Sequence, residues 1–329
     1  MKNYLLILSF FTFFISQAQL SNKHWLPPLH ARDESTIQDH YVYLSTAETT
    51  PFQITITTGN GIPIPGSPFT ISQTNPVEVN IGNGQPTDMF LDVTDVNVVK
   101  SDKGLILEGT KDFYVSFRMR HQNHAETLIS KGRPGIGNRF RLGHMINETS
   151  DSRTSFVASV MATENNTTLT LSDYNTNVVF TSGSGDITAD SQSFILNAGQ
   201  SIVFSGYSSL GANLDGALGA LIESSKPVAV NSGNILGGIE YGRADICLDQ
   251  IVSSSQIGDE YIFIEGNGTP EMELPLIIAD QDNTEVFVNG NPIASTTLNA
   301  GDYYFVPNSQ YQGTINRNIY VKTSKPVFS

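Results

Sequence analysis

The sequence predicts an all-β protein made of tandem units of about a hundred residues, each most consistent with a β-sandwich. Short runs such as residues 52–57 and 76–81 alternate apolar and polar side chains, and Gly, Asn, Pro or Asp bounds each run. This period of two is typical of strands with one buried face. No segment places apolar residues at helical spacing over three turns. Because short strands with turn signals also form propellers, a closed propeller-like arrangement is the alternative.

A repeated pair of tetrapeptides predicts the tandem organisation. Leu-Asn-Ala-Gly at 196–199 precedes Ser-Lys-Pro-Val at 225–228, and the same pair recurs at 298–301 and 324–327. We interpret the glycine as a turn residue and the proline as the first residue of a strand. A weaker copy, Thr110-Lys111, precedes an apolar run without the proline. The predicted units are residues 39–132, 133–233 and 234–329. Since the third stops inside a strand at Ser329, we expect it to be truncated and the array to continue.

The N-terminus predicts export. Lys2 precedes an apolar run, and small residues end at Ala18, so residues 1–19 are predicted to be a secretory signal peptide. The run is too short for the ~20 residues of a membrane span, and no transmembrane segment is predicted in the mature chain. Residues 20–38 are predicted to form an extended arm that Trp25 attaches to the first unit. The predicted location is extracellular, either secreted or at the cell surface.

Composition narrows the classes of partner. Charged residues make up 15% of the chain and the net charge is −14, which disfavours nucleic acid as a partner. An extracellular protein or a glycan is the expected partner, and the oligomeric state is left open. The single Cys247 forms no internal disulfide. We interpret it as a small buried residue, with a reactive thiol or pairing between chains as alternatives.

The sequence contains no catalytic motif, and we predict no enzyme activity and no cofactor. His121 and His124 with Glu126 resemble zinc ligands, but residues three apart on a strand face opposite sides. Asp88, Asp92 and Asp95, like Asp280 and Asp282, could bind calcium but match no calcium-loop spacing. We therefore predict no metal site.

A cluster of basic residues is the one candidate ligand patch. Six of the eighteen basic residues lie within 24 positions: Arg118, Arg120, Lys131, Arg133, Arg139 and Arg141. They could bind an acidic glycan or the carboxylates of a partner. The interpretation we favour is that they pair with acidic residues of a neighbouring unit.

Several segments carry a resemblance to a known family. Residues 225–233, Cys247-Leu248-Asp249 and Gly258-Asp259-Glu260-Tyr261 resemble, in this order, the IgGFc-binding protein N-terminal domain family. Residues 126–143 and 23–29 are similar to its bacterial branch, found in large surface proteins of gliding, type IX-secreting bacteria. The resemblance implies an all-β, non-enzymatic, extracellular module of the adhesion type. It does not imply antibody binding.

These observations together predict a secreted or cell-surface binding or adhesion module of a bacterial surface protein. One alternative is a carbohydrate-binding module attached to a secreted enzyme, for which Tyr303, Tyr304 and Tyr311 are candidate exposed aromatic residues. A metal-dependent hydrolase built around His121 and His124 is another. Because the repeated tetrapeptides are framework, we expect specificity to lie in the loop at 182–186 and in the basic stretch at 118–141.

Overall fold

The computed structural model describes residues 19–31, 37–121, 124–147, 153–240 and 243–329. The predicted signal peptide, except for Gln19, lies outside these ranges. The all-β prediction is confirmed. Helix in the described residues is limited to four short 3-10 turns, which are Val93–Asp95, Arg133–Gly135, Gly211–Asn213 and Asn308–Gln310.

The strands form three units of the same topology. In the first unit the strands are β1 (Ser21–Leu26), β2 (Leu29–His30), β3 (Gln38–Ser45), β4 (Phe52–Thr58), β5 (Phe69–Ile71), β6 (Val77–Gly82), β7 (Phe90–Leu91), β8 (Leu105–His121) and β9 (His124–Ile129). In the second they are β10 (Gly137–Arg141), β11 (Ser155–Ala162), β12 (Thr167–Ser172), β13 (Gln192–Leu196), β14 (Ser201–Tyr207), β15 (Leu221–Glu240) and β16 (Arg243–Ile251). In the third they are β17 (Gly258–Ile264), β18 (Leu276–Ala279), β19 (Thr284–Val288), β20 (Thr296–Leu298), β21 (Tyr303–Phe305) and β22 (Asn318–Phe328).

One long strand is the centre of each unit. The strand orders are β5-β4-β8-β3-β6, β13-β12-β15-β11-β14 and β20-β19-β22-β18-β21. The first strand of each unit (β1, β10 or β17) also pairs with the long strand, and β9 and β16 fold back onto it as hairpins. The topology of the first unit is therefore that of the other two, although its sequence carries only a trace of the repeated tetrapeptides.

The Ser-Lys-Pro-Val motif marks the place where the long strand passes from one half of the sandwich to the other. β15 pairs with β12 as far as Ser224, and its pairing with β11 begins at Val228. β22 skips residues 324–326 in the same way. A residue with no backbone N–H is tolerated there because that position makes no ladder hydrogen bond. The proline therefore lies inside a continuous strand, and the prediction that it begins one is wrong.

The two repeated motifs meet at a shared turn. Nζ of Lys226 donates to the carbonyl oxygen of Asn165 at 2.5 Å, and the N–H of Ala198 donates to the side chain of the same Asn165 at 3.1 Å. In the third unit Lys325 and Ala300 contact Asp282 in the same two ways, at 2.5 and 3.0 Å. The motifs therefore recur together because each stabilises one side of the same turn.

Each unit packs its two halves around an apolar core. Both halves of the third sandwich contribute, with Ile277 and Val327 on one side and Val286 and Val321 on the other.

The boundary between the second and third sheets differs from the one predicted at residue 233. β15 continues to Glu240 and β16 pairs back onto it, so the second sheet extends to Ile251. The predicted arm contains β1, which is a strand of the first sheet.

Consecutive units dock through equivalent surfaces. We call the outer surface of the first strand and the first half of the long strand the forward face, because it contacts the next unit. On the first unit the forward face places Trp25 and Ile106 against Met161 and Ala229 of the second. The side-chain amide of Gln250 also donates to the carbonyl oxygen of Trp25 at 2.7 Å. Trp25 is only 6% exposed as a result.

The forward face of the second unit carries charge instead of an aromatic ring. Arg141 pairs with Asp280 of the third unit at 3.3 Å, and Arg139 pairs with the same carboxylate at 2.9 Å. Close backbone approach accompanies this contact. A Cβ built on Gly219 would lie 1.9 Å from the carbonyl oxygen of Gly301. Gly301 itself has a left-handed φ of 88°. The Leu-Asn-Ala-Gly turn is thus both a turn, as predicted, and part of the contact between units.

Candidate binding surface

The basic residues of the predicted patch separate into two groups. Lys131, Arg139 and Arg141 lie at contacts between sheets. Lys131 pairs with Asp249 of β16 at 2.5 Å, joining the first unit to the second. Arg141 is 2% exposed and also donates to the carbonyl oxygen of Gly219. These three residues hold the array together.

Arg118, Arg120 and Arg133 lie on the surface of the first unit. Arg120 forms an ion pair with Asp39 at 2.6 Å, and both side chains are about half exposed, so the pair contributes little to stability. Arg133 donates to the side chain of Asn22 at 3.0 Å. The structure therefore brings Arg118 and Arg120 together on one strand and separates them from the other four residues.

Arg118 lies in a shallow groove on the outside of the first unit. Its guanidinium carbon is 4.0 Å from the centre of the Tyr43 ring. A hydrogen bond from the Tyr43 hydroxyl to Glu78 raises the pKa of that hydroxyl above its usual value. The groove encloses about 460 Å³, and Ser45, Tyr114 and Ile129 also line it.

The strand register explains why these side chains share one surface. Tyr41, Tyr43 and Ser45 alternate along β3, opposite Arg118, Ser116 and Tyr114 of β8. β6 places Glu78 opposite Tyr43 on its other side, and β9 places Ile129 opposite Ser116. We call the surface made by Tyr41, Tyr43, Glu78, Tyr114, Arg118 and Arg120 the tyrosine–arginine face. Such a face can contact a partner by ring packing, bidentate hydrogen bonding and charge, and Tyr and Arg are among the residues enriched at binding hot spots.

The tyrosines and the glutamate of this face were missed at the sequence level. The signal was present, because residues 41, 43 and 45, and residues 114, 116, 118 and 120, each alternate onto one side of a strand. What was missing was the pairing of β3 with β8, which joins segments about seventy residues apart.

The other predicted sites lie elsewhere. The loop at 182–186 packs against the first unit, since a Cβ on Gly183 would lie 2.3 Å from the backbone of Thr94. Tyr311 is buried, Tyr304 packs against the third core, and the hydroxyl of Tyr303 donates to Asp215 at 3.0 Å. These three tyrosines therefore do not form an exposed binding platform.

The structure describes the surroundings of His124 and Cys247, two residues that the sequence raised as possible reactive or metal-binding groups. Nδ1 of His124 lies 3.2 Å from Asp245, and the side chain of His121 lies outside the described residues. Within the described ranges, no group of three or more His, Cys, Asp or Glu side chains is arranged to hold a metal ion. Cys247 is exposed on β16, so its interpretation as a buried residue is wrong. Its pKa is raised, first by desolvation among neighbouring atoms and then by the nearby carboxylates of Glu126 and Asp245.

Comparisons with known proteins identify the family. No helix in the described part of the chain is long and apolar enough to cross a membrane. No curated protein and no solved structure matches the chain. A family model described as IgGFc binding protein matches residues 125–329, which is more than half of the chain. The match covers β9 except for its first residue, and all of the second and third units, so the chain belongs to the IgGFc-binding protein family.

Proposed function

We propose that this chain is an extracellular, non-enzymatic module that binds another protein through the tyrosine–arginine face of its first unit. The family is named for binding a protein, and its extracellular setting agrees with the predicted signal peptide. We further propose that the module belongs to a bacterial surface protein of the adhesion type, secreted by the type IX route.

The observation that carries the proposal is the groove around Arg118. Three tyrosines and two arginines lie on one exposed sheet face, with Tyr114 42% exposed. Tyrosine contributes large contact area with few rotatable bonds, and arginine can bind a partner carboxylate with two hydrogen bonds. The comparable outer surfaces of the second and third units are covered by their neighbours in the array.

Binding is tested by immobilising candidate partners and passing the secreted chain over them. IgG Fc is the first probe because of the family name, fibronectin represents matrix proteins, and a glycan array tests carbohydrate recognition. We expect binding to at least one of the two proteins. Tyr114→Ala combined with Arg118→Ala should weaken that binding at least tenfold, as expected for hot-spot residues.

The matched control is Lys322→Ala, which removes an exposed charge from the third unit. It should bind as the wild type does. Recognition of glycans with neither protein bound would replace the proposal by the carbohydrate-binding alternative. Binding that survives the double substitution would show that the face is not the site.

A further inference from the structure

Four asparagines of the chain are followed directly by glycine, which is a chemically reactive combination. The backbone nitrogen of the glycine can attack the side-chain amide of the asparagine, because glycine has no Cβ to hinder the approach. The four steps begin at Asn60, Asn83, Asn267 and Asn289. Their surroundings in the structure differ, and so should their reactivity.

Two of these asparagines are held by hydrogen bonds of their side chains. Oδ1 of Asn60 accepts from the hydroxyl of Thr58 at 2.6 Å and from the N–H two residues further along the chain at 3.3 Å. The side-chain amide of Asn289 donates to the carbonyl oxygen of Gln310 at 2.7 Å and accepts from the N–H of Tyr320 at 3.1 Å. Rotating either side chain toward the next backbone nitrogen would break both of its bonds, so these two steps are protected.

The other two steps differ in the group that accepts a hydrogen bond from the attacking nitrogen. After Asn83, the N–H of the glycine donates to the carbonyl oxygen of Ile37 at 2.8 Å. After Asn267, the N–H of Gly268 donates to Oε1 of Glu273 at 2.7 Å. A carbonyl oxygen is a very weak base, whereas a carboxylate at about 2.6–3.2 Å is placed to act as a general base. Only the Asn267 step therefore combines the nucleophile with a proton acceptor.

The loop between β17 and β18 holds the Glu273 carboxylate in this position. The second carboxylate oxygen accepts from the N–H of Gly266 at 3.0 Å. The N–H of Glu273 donates to the carbonyl oxygen of Thr269 at 3.1 Å and closes the loop. A Cβ built on Gly266 or Gly268 would lie 2.6 or 2.7 Å from Oε1 of Glu273, so the absence of side chains there permits the close approach.

We propose that Asn267 is a site of self-modification, at which it loses its side-chain amide with Glu273 as the base. The nitrogen of Gly268 forms a bond to Cγ of Asn267 while its proton passes to Glu273. The bond from Cγ to the side-chain nitrogen breaks, and this nitrogen takes the proton and leaves as ammonia. The product is a succinimide ring. Water then opens the ring, so the net reaction replaces NH2 by OH and gives aspartate or isoaspartate.

The modification changes the loop and leaves the first unit unaltered. All reacting groups lie between residues 266 and 273, so the reaction depends on this loop alone. The product places a new negative charge close to Glu273, and isoaspartate adds a carbon to the main chain before Gly268. Both changes weaken the contact between the carboxylate and the Gly268 N–H. Binding through the tyrosine–arginine face does not depend on this loop, and the inference is independent of the proposed function.

Peptide mapping by mass spectrometry tests the proposal. The secreted chain is incubated at neutral pH and sampled over several weeks, and the conversion of each asparagine to aspartate or isoaspartate is measured. We expect conversion at Asn267 to be at least tenfold faster than at Asn60, Asn83 or Asn289. An Asn267 that stays intact, or an Asn83 that converts equally fast, overturns the proposal.

A substitution of Glu273 tests its role as the base. Glu273→Gln should slow conversion at Asn267 at least tenfold, because glutamine accepts the same hydrogen bond but cannot take the proton. Glu271→Gln is the matched control: it removes a negative charge from the same loop, but Glu271 bonds to Thr269 instead of Gly268. This control should convert as the wild type does. A rate in Glu273→Gln that is unchanged or higher shows that the carboxylate is not the base and overturns the proposal.

Discussion

Replacing Asp280 with asparagine tests the charged contact between the second and third units. The Asp280 carboxylate accepts hydrogen bonds from Nε of Arg139 at 2.9 and 3.1 Å and from Nε of Arg141 at 3.3 Å. The Arg141 side chain is only 1% exposed. Removing one partner of a buried ion pair costs about 3–5 kcal/mol. In the Asp280→Asn variant, Arg141 would still donate to Asp173 at 2.9 Å and to the carbonyl oxygen of Gly219. We therefore expect the free energy of unfolding to fall by about 2–3 kcal/mol.

Urea unfolding measures this loss. In a tandem array the stability of each unit depends on its contact with the neighbour, so the third unit should unfold in an earlier transition. Asp282→Asn is the matched control, because Asp282 is exposed and asparagine keeps the oxygen that accepts from Ala300. A loss below about 0.5 kcal/mol for Asp280→Asn, or an equal loss in the control, would refute the importance of the buried pair.

Two further predictions concern backbone packing and pH. Gly219→Ala should lower the free energy of unfolding in urea by about 2–4 kcal/mol, because Gly219 has a left-handed φ of 76° and an added Cβ would clash with Gly301. Gly290→Ala is the matched control: Gly290 has a φ of 72° but open space around it, so this variant should lose only about 1 kcal/mol. Equal losses would show that the backbone approach between units is not tight. Burial lowers the pKa of both His24 and His144 from 6.5 to about 4, so the unfolded chain binds protons that the folded chain does not. Stability should therefore fall between pH 6.5 and 4, by roughly 2 kcal/mol per histidine at pH 5, and a stability unchanged from pH 7 to 5 would contradict this.

Local patterns predicted the strands better than their partners. The alternation at residues 52–57 and 76–81 predicted β4 and β6 because one side of each strand is buried. The single long strand β8 is not evident locally, because its apolar runs at residues 105–107 and 114–117 are interrupted around Lys111, where the strand crosses between halves of the sandwich. β16 was assigned to the wrong sheet since nothing local distinguishes pairing with β15 from pairing with β22.

The candidate site was predicted only in part for the same reason. Arg118 and Arg120 stood out as members of the basic cluster, and because they are two residues apart on β8 they share one strand face. Their groove, however, is assembled from β3, β6, β8 and β9, whose adjacency depends on the whole topology. Arg139 and Arg141 stood out equally in the sequence, but a later unit covers them. The burial of a charge by a neighbouring domain is not encoded in the local pattern around it.

The fluorescence of Trp25 tests the central claim, that successive units dock through equivalent faces, most directly. Trp25 is the only tryptophan of the chain, and it is buried between the first and second units against Met161. The native protein should emit at short wavelength and resist quenching by iodide. Met161→Asp should shift the emission to that of a water-exposed tryptophan while circular dichroism still shows folded β structure. Native Trp25 emission that is already water-like and freely quenched would contradict the docked arrangement.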